Sequence, residues 1–243
     1  MRRQFVLLLA TIGGAATALA GSDSAFTRVA DGFDFPVGKP NAEGFYKARG
    51  FRQNGHLGED WNGLGGGDSD LGSPIAAIGN GVVVFARDVH SGWGNVVIVR
   101  HSYYEGGHLN YVDSLYGHLN QIFVREGQSV SRGDRIATMG SNHGMYPAHL
   151  HLEIRKNLSI GMARASFARD FSNYYDPTRF IETHRALRGG PSNTVIAMNT
   201  FAQPRDYPMP VVDSARGSGG GVARTGAARH SFKIDRYSDI TLH

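Results

Sequence analysis

The eight residues AHLHLEIR, Ala148 to Arg155, restrict the fold more than any other stretch of the chain. Leu150, Leu152 and Ile154 alternate with His149, His151 and Glu153. Successive side chains of a strand point to opposite faces. One face of this strand therefore belongs to a core, and the other carries two imidazoles and a carboxylate. At about 3.3 Å of rise per residue, His149 and His151 stand roughly 7 Å apart at the backbone on the same side. Packing alone gives no reason for that face.

The neighbouring sequence is also β. AAIGNGVVVFARDV and GWGNVVIVRHSYY form paired strands joined by Gly, Asn and Asp turns, and SLYGHLNQIFV and DRIATMG continue the series. REGQSVSRGD supplies glycine-marked turns between them. This spacing predicts a mainly β fold, with antiparallel sheets forming a sandwich or partly open barrel. One short C-terminal helix is expected in DPTRFIETHRALRGG, with Asp176 as its cap, Pro177 at its first position and Gly189 at its end. Residues 21–55 carry few periodic cues. The glycine cluster GLGGGDSDLG (63–72) lacks the Lys-Ser/Thr of a phosphate loop, and an isolated acidic turn does not make a calcium site. A mobile cleft rim is the expectation there.

The first twenty residues have the layout of a secretory signal peptide. Arg2 and Arg3 form the basic end, Phe5 to Leu9 begin the apolar stretch, and Ala18-Leu19-Ala20 is the small-residue cleavage site. The paired arginines also resemble a twin-arginine export signal. Nothing later is long or apolar enough to span a membrane. Cleavage after Ala20 lowers the formal charge from +4 to +2, too mild an excess to indicate a nucleic-acid partner. The absence of cysteine excludes disulfides, thiolate catalysis, cysteine-held metals and a cysteine lipid anchor. The expected organisation is a signal peptide (1–20), a catalytic domain (21–188, core about 45–160) and a C-terminal extension (189–243). Within that extension, the Gly/Ala/Arg/Ser-rich 213–230 is expected to be disordered. The apolar run TVIAMNTF (194–201) could add an edge strand.

Eleven histidines remain to be sorted. His90, His108, His143, His184, His230 and His243 have no distinctive context and are taken as surface or turn residues. His101, closing VVIVRH, is expected to be a packed structural histidine. His56 and Asp60, four apart in GHLGED, can serve one metal around a tight loop, for which Gly55, Gly58 and Gly63 argue. With one histidine of the strand they supply two nitrogens and a carboxylate oxygen, a donor set suited to a catalytic zinc with an open position. The other imidazoles, including His118 in LYGHLN, are then free to face water at the metal. Glu59 is taken as a solvated neighbour.

GHLGEDW, LYGHL and AHLHLE, in this order, resemble the lysostaphin/LytM-type zinc metallopeptidases, which hydrolyse peptides of bacterial peptidoglycan. AAIGNGVVV, GWGNVVIVRH and VREGQSVSRGDRIATMG add to the likeness, which spans roughly 45–155. The resemblance implies the duplicated hybrid motif fold and one Zn²⁺ per chain held by His56, Asp60 and His151. It also implies His118 and His149 as the catalytic residues. His149 is the expected proton acceptor and His118 the group that orients water or stabilises the oxyanion, although the two roles are interchangeable at this point. Glu153 either holds a ligand imidazole in its tautomer or sits at the rim. The implied activity is an endopeptidase acting on peptidoglycan cross-links or stem peptides in the periplasm or cell wall. Direct cross-links between D-alanine and diaminopimelate are favoured over glycine bridges, and residues 189–243 are expected to be dispensable for catalysis. Two alternatives differ in class: a non-catalytic wall-binding or amidase-activating relative, against which all five filled positions argue, and a histidine phosphocarrier of similar fold. The leader and Asp60 count against the phosphocarrier.

Overall fold

A computed structural model describes residues 23–168 and 171–202. The leader, the glycine-rich 213–230, His230 and His243 lie outside the described residues. The chain runs through β1 (Ser24–Arg28), β2 (Phe45–Arg49), β3 (Glu59–Gly63), β4 (Pro74–Ala76), β5 (Gly81–Asp88) and β6 (Asn95–Glu105). It continues through β7 (His108–Ile122), β8 (Ser129–Val130), β9 (Arg135–Met139), β10 (Leu150–Arg155), β11 (Tyr174–Tyr175), α1 (Pro177–Thr183) and β12 (Asn193–Ala197). The main sheet follows the order β2-β3-β10-β7-β6-β5-β8, with β11 on β10 and the β4–β9 pair joined to β7. Its ladders are antiparallel and it does not close into a barrel, so the mainly β expectation holds in its open form.

The apolar runs VVV in β5 and VVIV in β6 are continuous because both faces of the sheet are covered. Val83, Val97 and Val99 join Tyr116, Leu150, Leu152 and Ile154 in the larger core. Val82, Val84, Val96 and Ile98 point the other way, into a second cluster with Leu115, Met162, Ile196 and Met198. Ile196 arrives on β12 and Met198 directly after it; β12 pairs with β1 across the chain from Ser24↔Ala197 to Arg28↔Asn193. Arg100 fastens this cover to the sheet. Its guanidinium forks onto Asp113 with two bonds of 2.7 Å, and Nη1 donates to the Ala197 carbonyl at 2.7 Å. Both partners of the ion pair are buried.

His101 is the packed histidine its context suggested. It is fully enclosed, with Nδ1 donating to the Asn80 carbonyl at 2.9 Å and Nε2 bonded to Ser114 Oγ at 2.7 Å. Burial pushes its pKa down to about 4 against the help of the Asn80 carbonyl, so the ring stays neutral. Two expectations need correction. The helix is capped as expected, Asp176 Oδ1 accepting from Arg179 N at 2.9 Å, but it ends at Thr183 rather than Gly189. Beyond it, Arg185 Nη1 donates to the Pro40 carbonyl and Leu187 N to the Asp31 carbonyl, and these bonds draw the chain off the helix axis. Glu59 is wholly buried rather than solvated. Its carboxylate accepts from Lys47 on β2, from the Trp61 indole and from Thr178 on α1. Among the described residues, no helix is long and apolar enough to cross a membrane.

Candidate metal centre

Strand β10 lies between β3 and β7, in a register that sets His151 opposite Asp60 on one side and Gly117 on the other. His56 reaches the same point from the tight turn that precedes β3. That turn must approach β10 closely, and Gly58 allows it. A Cβ at Gly58 would fall 2.4 Å from the Leu152 carbonyl oxygen and 3.0 Å from the His151 ring. Sequence alone suggested this glycine for its backbone freedom, whereas the structure requires it for its lack of a side chain.

Three polar atoms converge. His151 Nδ1 is 2.9 Å from Asp60 Oδ1 and 3.0 Å from His56 Nε2, and the remaining side, His56 Nε2 to Asp60 Oδ1, measures 3.3 Å. Zinc bonds of about 2.0–2.1 Å in a tetrahedron give edges of about 3.3–3.4 Å, close to this triangle. The outer nitrogens fix the direction of the lone pairs. His56 Nδ1 donates to the Gly50 carbonyl at 3.2 Å and His151 Nε2 donates to Glu153 Oε1 at 3.0 Å. Two imidazole lone pairs and a carboxylate oxygen thus face one another in a nearly closed space, an arrangement that repels itself unless a cation is shared among them. The donor set fits zinc.

The charges agree with that reading. Burial works to raise the Asp60 pKa, but bonds from His151 and His56 outweigh it and hold the carboxyl well below its usual range. Burial likewise opposes a proton on His151, yet Asp60 and Glu153 on either side raise its pKa to about 9. The site therefore attracts a positive charge, be it a proton or a metal ion. Glu153 is fully enclosed and is no rim carboxylate. Arg155 Nε donates to its Oε2 at 2.7 Å and Arg164 Nη2 lies 3.4 Å from its Oε1. Against the cost of burial, these guanidiniums and His151 keep it ionised. The polar face is therefore covered along β10, all six of whose residues are buried.

His118 and His149 stand beside the triangle. The ladder between β6 and β7 slips at this point, the pair Val97↔Tyr116 being followed by Asn95↔Leu119, so Gly117 and His118 together oppose one residue. A bulge of this kind re-aims a side chain, and His118 carries a left-handed φ of 60°. Its ring lies 4.7 Å from that of His149 and 5.8 Å from that of His151, with the Trp93 indole stacked on it. Burial, reinforced by the neighbouring His149 and His151, holds its pKa well below the ordinary histidine value. Its Nδ1 is buried without a hydrogen-bond partner. His149 Nδ1 donates to the Pro147 carbonyl at 2.8 Å, which in the neutral ring makes Nε2 the acceptor. All five residues singled out in the sequence meet in one place.

Sequence reasoning missed Trp93 and Tyr146, whose rings lie 6.1 Å and 5.2 Å from that of His118. Both acidic residues of the glycine-rich loop are bonded to neighbouring backbone. Asp70 Oδ2 accepts from Gly63 N and Asp68 Oδ1 from Ala148 N, both at 2.7 Å, and the second bond steadies the entry to β10 beside His149.

Residues 59–161 match the family model described as Peptidase family M23. Lipoprotein NlpD of Yersinia enterocolitica is 42% identical over 94 residues, covering 38% of this chain and 89% of that sequence. The NlpD/LppB homolog of Pseudomonas aeruginosa is 43% identical over 86 residues, covering 35% of this chain and 26% of the relative. Peptidoglycan DD-endopeptidase ShyA of Vibrio cholerae is 38% identical over 84 residues, covering 35% of this chain and 18% of the relative. The chain thus spans about a quarter or less of the last two proteins. Among solved structures, lysostaphin from Staphylococcus simulans superimposes with a TM-score of 0.42 at 26% identity, covering 58% of this chain and 50% of that one. On the family match and the Yersinia relative, this chain belongs to peptidase family M23.

Proposed function

We propose that this chain is an exported zinc-dependent endopeptidase that hydrolyses peptides of bacterial peptidoglycan, with His56, Asp60 and His151 as the zinc ligands and His118 and His149 as the catalytic pair. The observation that carries the proposal is the free imidazole edge beside the ligand triangle. His149 commits Nδ1–H to the Pro147 carbonyl, so the neutral ring offers Nε2 as its basic atom. A zinc ion in the triangle would supply Lewis acidity and a water of lowered pKa. His149 then takes a proton from the attacking water at Nε2 and returns it to the leaving amine. The buried, partnerless Nδ1 of His118 is better a lone pair than a stranded N–H, which places the proton on Nε2. In that form His118 donates to the oxyanion of the scissile carbonyl. Glu153 holds His151 in the tautomer that turns Nδ1 inward.

A second reading follows from the relatives, one of which is the "Murein hydrolase activator NlpD" of Escherichia coli, 39% identical over 94 residues. An activator needs the fold but no acid–base pair, and both members of that pair are present here. The test separates ligands from catalysts. Alanine at His56, Asp60 or His151 is expected to remove zinc and activity together. Alanine at His118 or His149 is expected to leave zinc bound while peptidoglycan hydrolysis falls by roughly 10²–10⁴-fold. Metal content and muropeptide release are measured on the same preparations. Unimpaired digestion by all five variants would refute the proposal, and a parent protein that holds zinc but digests nothing would favour the activator.

A further inference from the structure

A second cluster of metal-type side chains lies outside this centre. Asp88 ends β5, His90 lies in the turn to β6, and His143 lies in the connection from β9 to β10. His143 Nε2 is 2.9 Å and His90 Nδ1 is 3.2 Å from the same oxygen, Asp88 Oδ2. One donor atom from each residue lies within 4.8 Å of the others. The other oxygen, Asp88 Oδ1, is already fixed by the backbone N–H of His90 at 2.8 Å, so Oδ2 alone is turned to the two rings. These are again two imidazoles and one carboxylate, although more open to solvent than the first set.

We infer that Asp88, His90 and His143 form a second binding site for a divalent transition ion of the zinc type, bridging the two loops beside the catalytic pair. Two nitrogen donors and one carboxylate favour zinc-type ions over magnesium or calcium, which take oxygen ligands. The position gives the site its effect. The turn that carries His90 also carries Trp93, which stacks on His118, and the segment that carries His143 also carries Tyr146, which packs edge-on against the same ring. The loops already touch, a Cβ on Gly94 falling 2.6 Å from Asn142 Oδ1. An ion held by His90 and His143 crosslinks them and fixes both aromatic walls of His118. This site shares no residue with the first and does not rest on the peptidase reading.

The test is a zinc titration of metal-stripped protein, read by native mass spectrometry and elemental analysis. The parent is expected to bind two zinc ions, the second more weakly, while His90→Ala and His143→Ala each bind one. His56→Ala is expected to retain one, and the double variant His56→Ala with His143→Ala none. Hydrogen exchange in residues 89–94 and 141–146 is expected to slow at the second equivalent in the parent but not in His143→Ala. A parent that saturates at one ion lost in His56→Ala overturns the inference, as does retention of two ions by both loop variants. One ion lost in His143→Ala but kept in His56→Ala sustains the second site and removes the first. Unchanged exchange at the second equivalent overturns the crosslink.

Discussion

Replacing Glu153 by glutamine tests whether a buried carboxylate sets the metal site from behind. Glu153 accepts from His151 Nε2 at 3.0 Å and from Arg155 Nε at 2.7 Å, and none of these groups is more than 3% exposed. A carboxylate satisfies both donors, whereas an amide offers one accepting oxygen and one NH₂. If the oxygen stays with Arg155, the NH₂ meets His151 and forces Nε2 to accept. The His151 proton then moves to Nδ1, the atom that faces His56 and Asp60. Loss of such a supporting carboxylate lowers metal affinity by about 10–100-fold, which is about 1.4–2.7 kcal/mol. Arg155 also loses its buried counter-charge, at a cost of roughly 3–5 kcal/mol in stability. The two effects separate by assay: chelator-competition titration gives zinc affinity, and urea unfolding of the metal-free protein gives stability. Glu153→Asp keeps the charge but is too short to reach both partners, and should lose affinity with the smaller stability loss. A folded Glu153→Gln protein that binds zinc within threefold of the parent would refute the tautomer argument.

Three further expectations follow from the fold. Gly58→Ala places a methyl group against the Leu152 carbonyl and should push the His56 turn off β10, so zinc uptake should fall while the far side of the sheet stays folded; uptake equal to the parent's would contradict this. His101, with a folded pKa of about 4 against about 6.5 unfolded, contributes stability that is complete above about pH 6.5 and is lost as pH falls towards 4. His101→Gln should therefore lose about 2–3 kcal/mol less than the parent between pH 7 and pH 4.5 in urea unfolding; equal losses would show that the ring does not stay neutral. A chain ending at Ala202 should melt as the full chain does, whereas one ending at Arg188 also loses buried Ile196 and Met198. At about 2–5 kcal/mol per core side chain, that second truncation should lower the melting temperature sharply, and unchanged melting would rule out a packing role for β12.

The candidate site was legible in the sequence because its residues are concentrated in short motifs. His-x-His on an alternating strand and His-x-x-x-Asp among glycines name their residues without any fold. What could not be read were pairings between distant segments. Nothing in EDWNG announces that Asp60 lies across from His151, because strand register depends on the whole sheet. Glu153 was equally compatible with a rim and an interior until Arg155 and Arg164 were seen to enclose it. The same holds for His90 and His143, which are unremarkable until two loops bring them onto one carboxylate. The helix was legible at its start, where capping is local, and misjudged at its end, where Pro40 and Asp31, far back in the chain, decide the path. β5 and β6 showed no alternation because β1 and β12 cover their second face.

The β1–β12 ribbon has a consequence for engineering. Met198 N donates to the Asp23 carbonyl at 2.8 Å, and Asn199 Nδ2 reaches Asp23 Oδ1. The two ends of the described domain are therefore laced together, beside β5, β6 and β8 and several strands away from β3. A short glycine linker can join them, and the Gly106-Gly107 turn between β6 and β7 offers a place to open new termini. Such a circular permutant would leave β3, β7 and β10, with Asp60, His118 and His151, and the segments that carry His56 and His149 uncut. Its new termini would no longer bear on the ribbon that covers the second core.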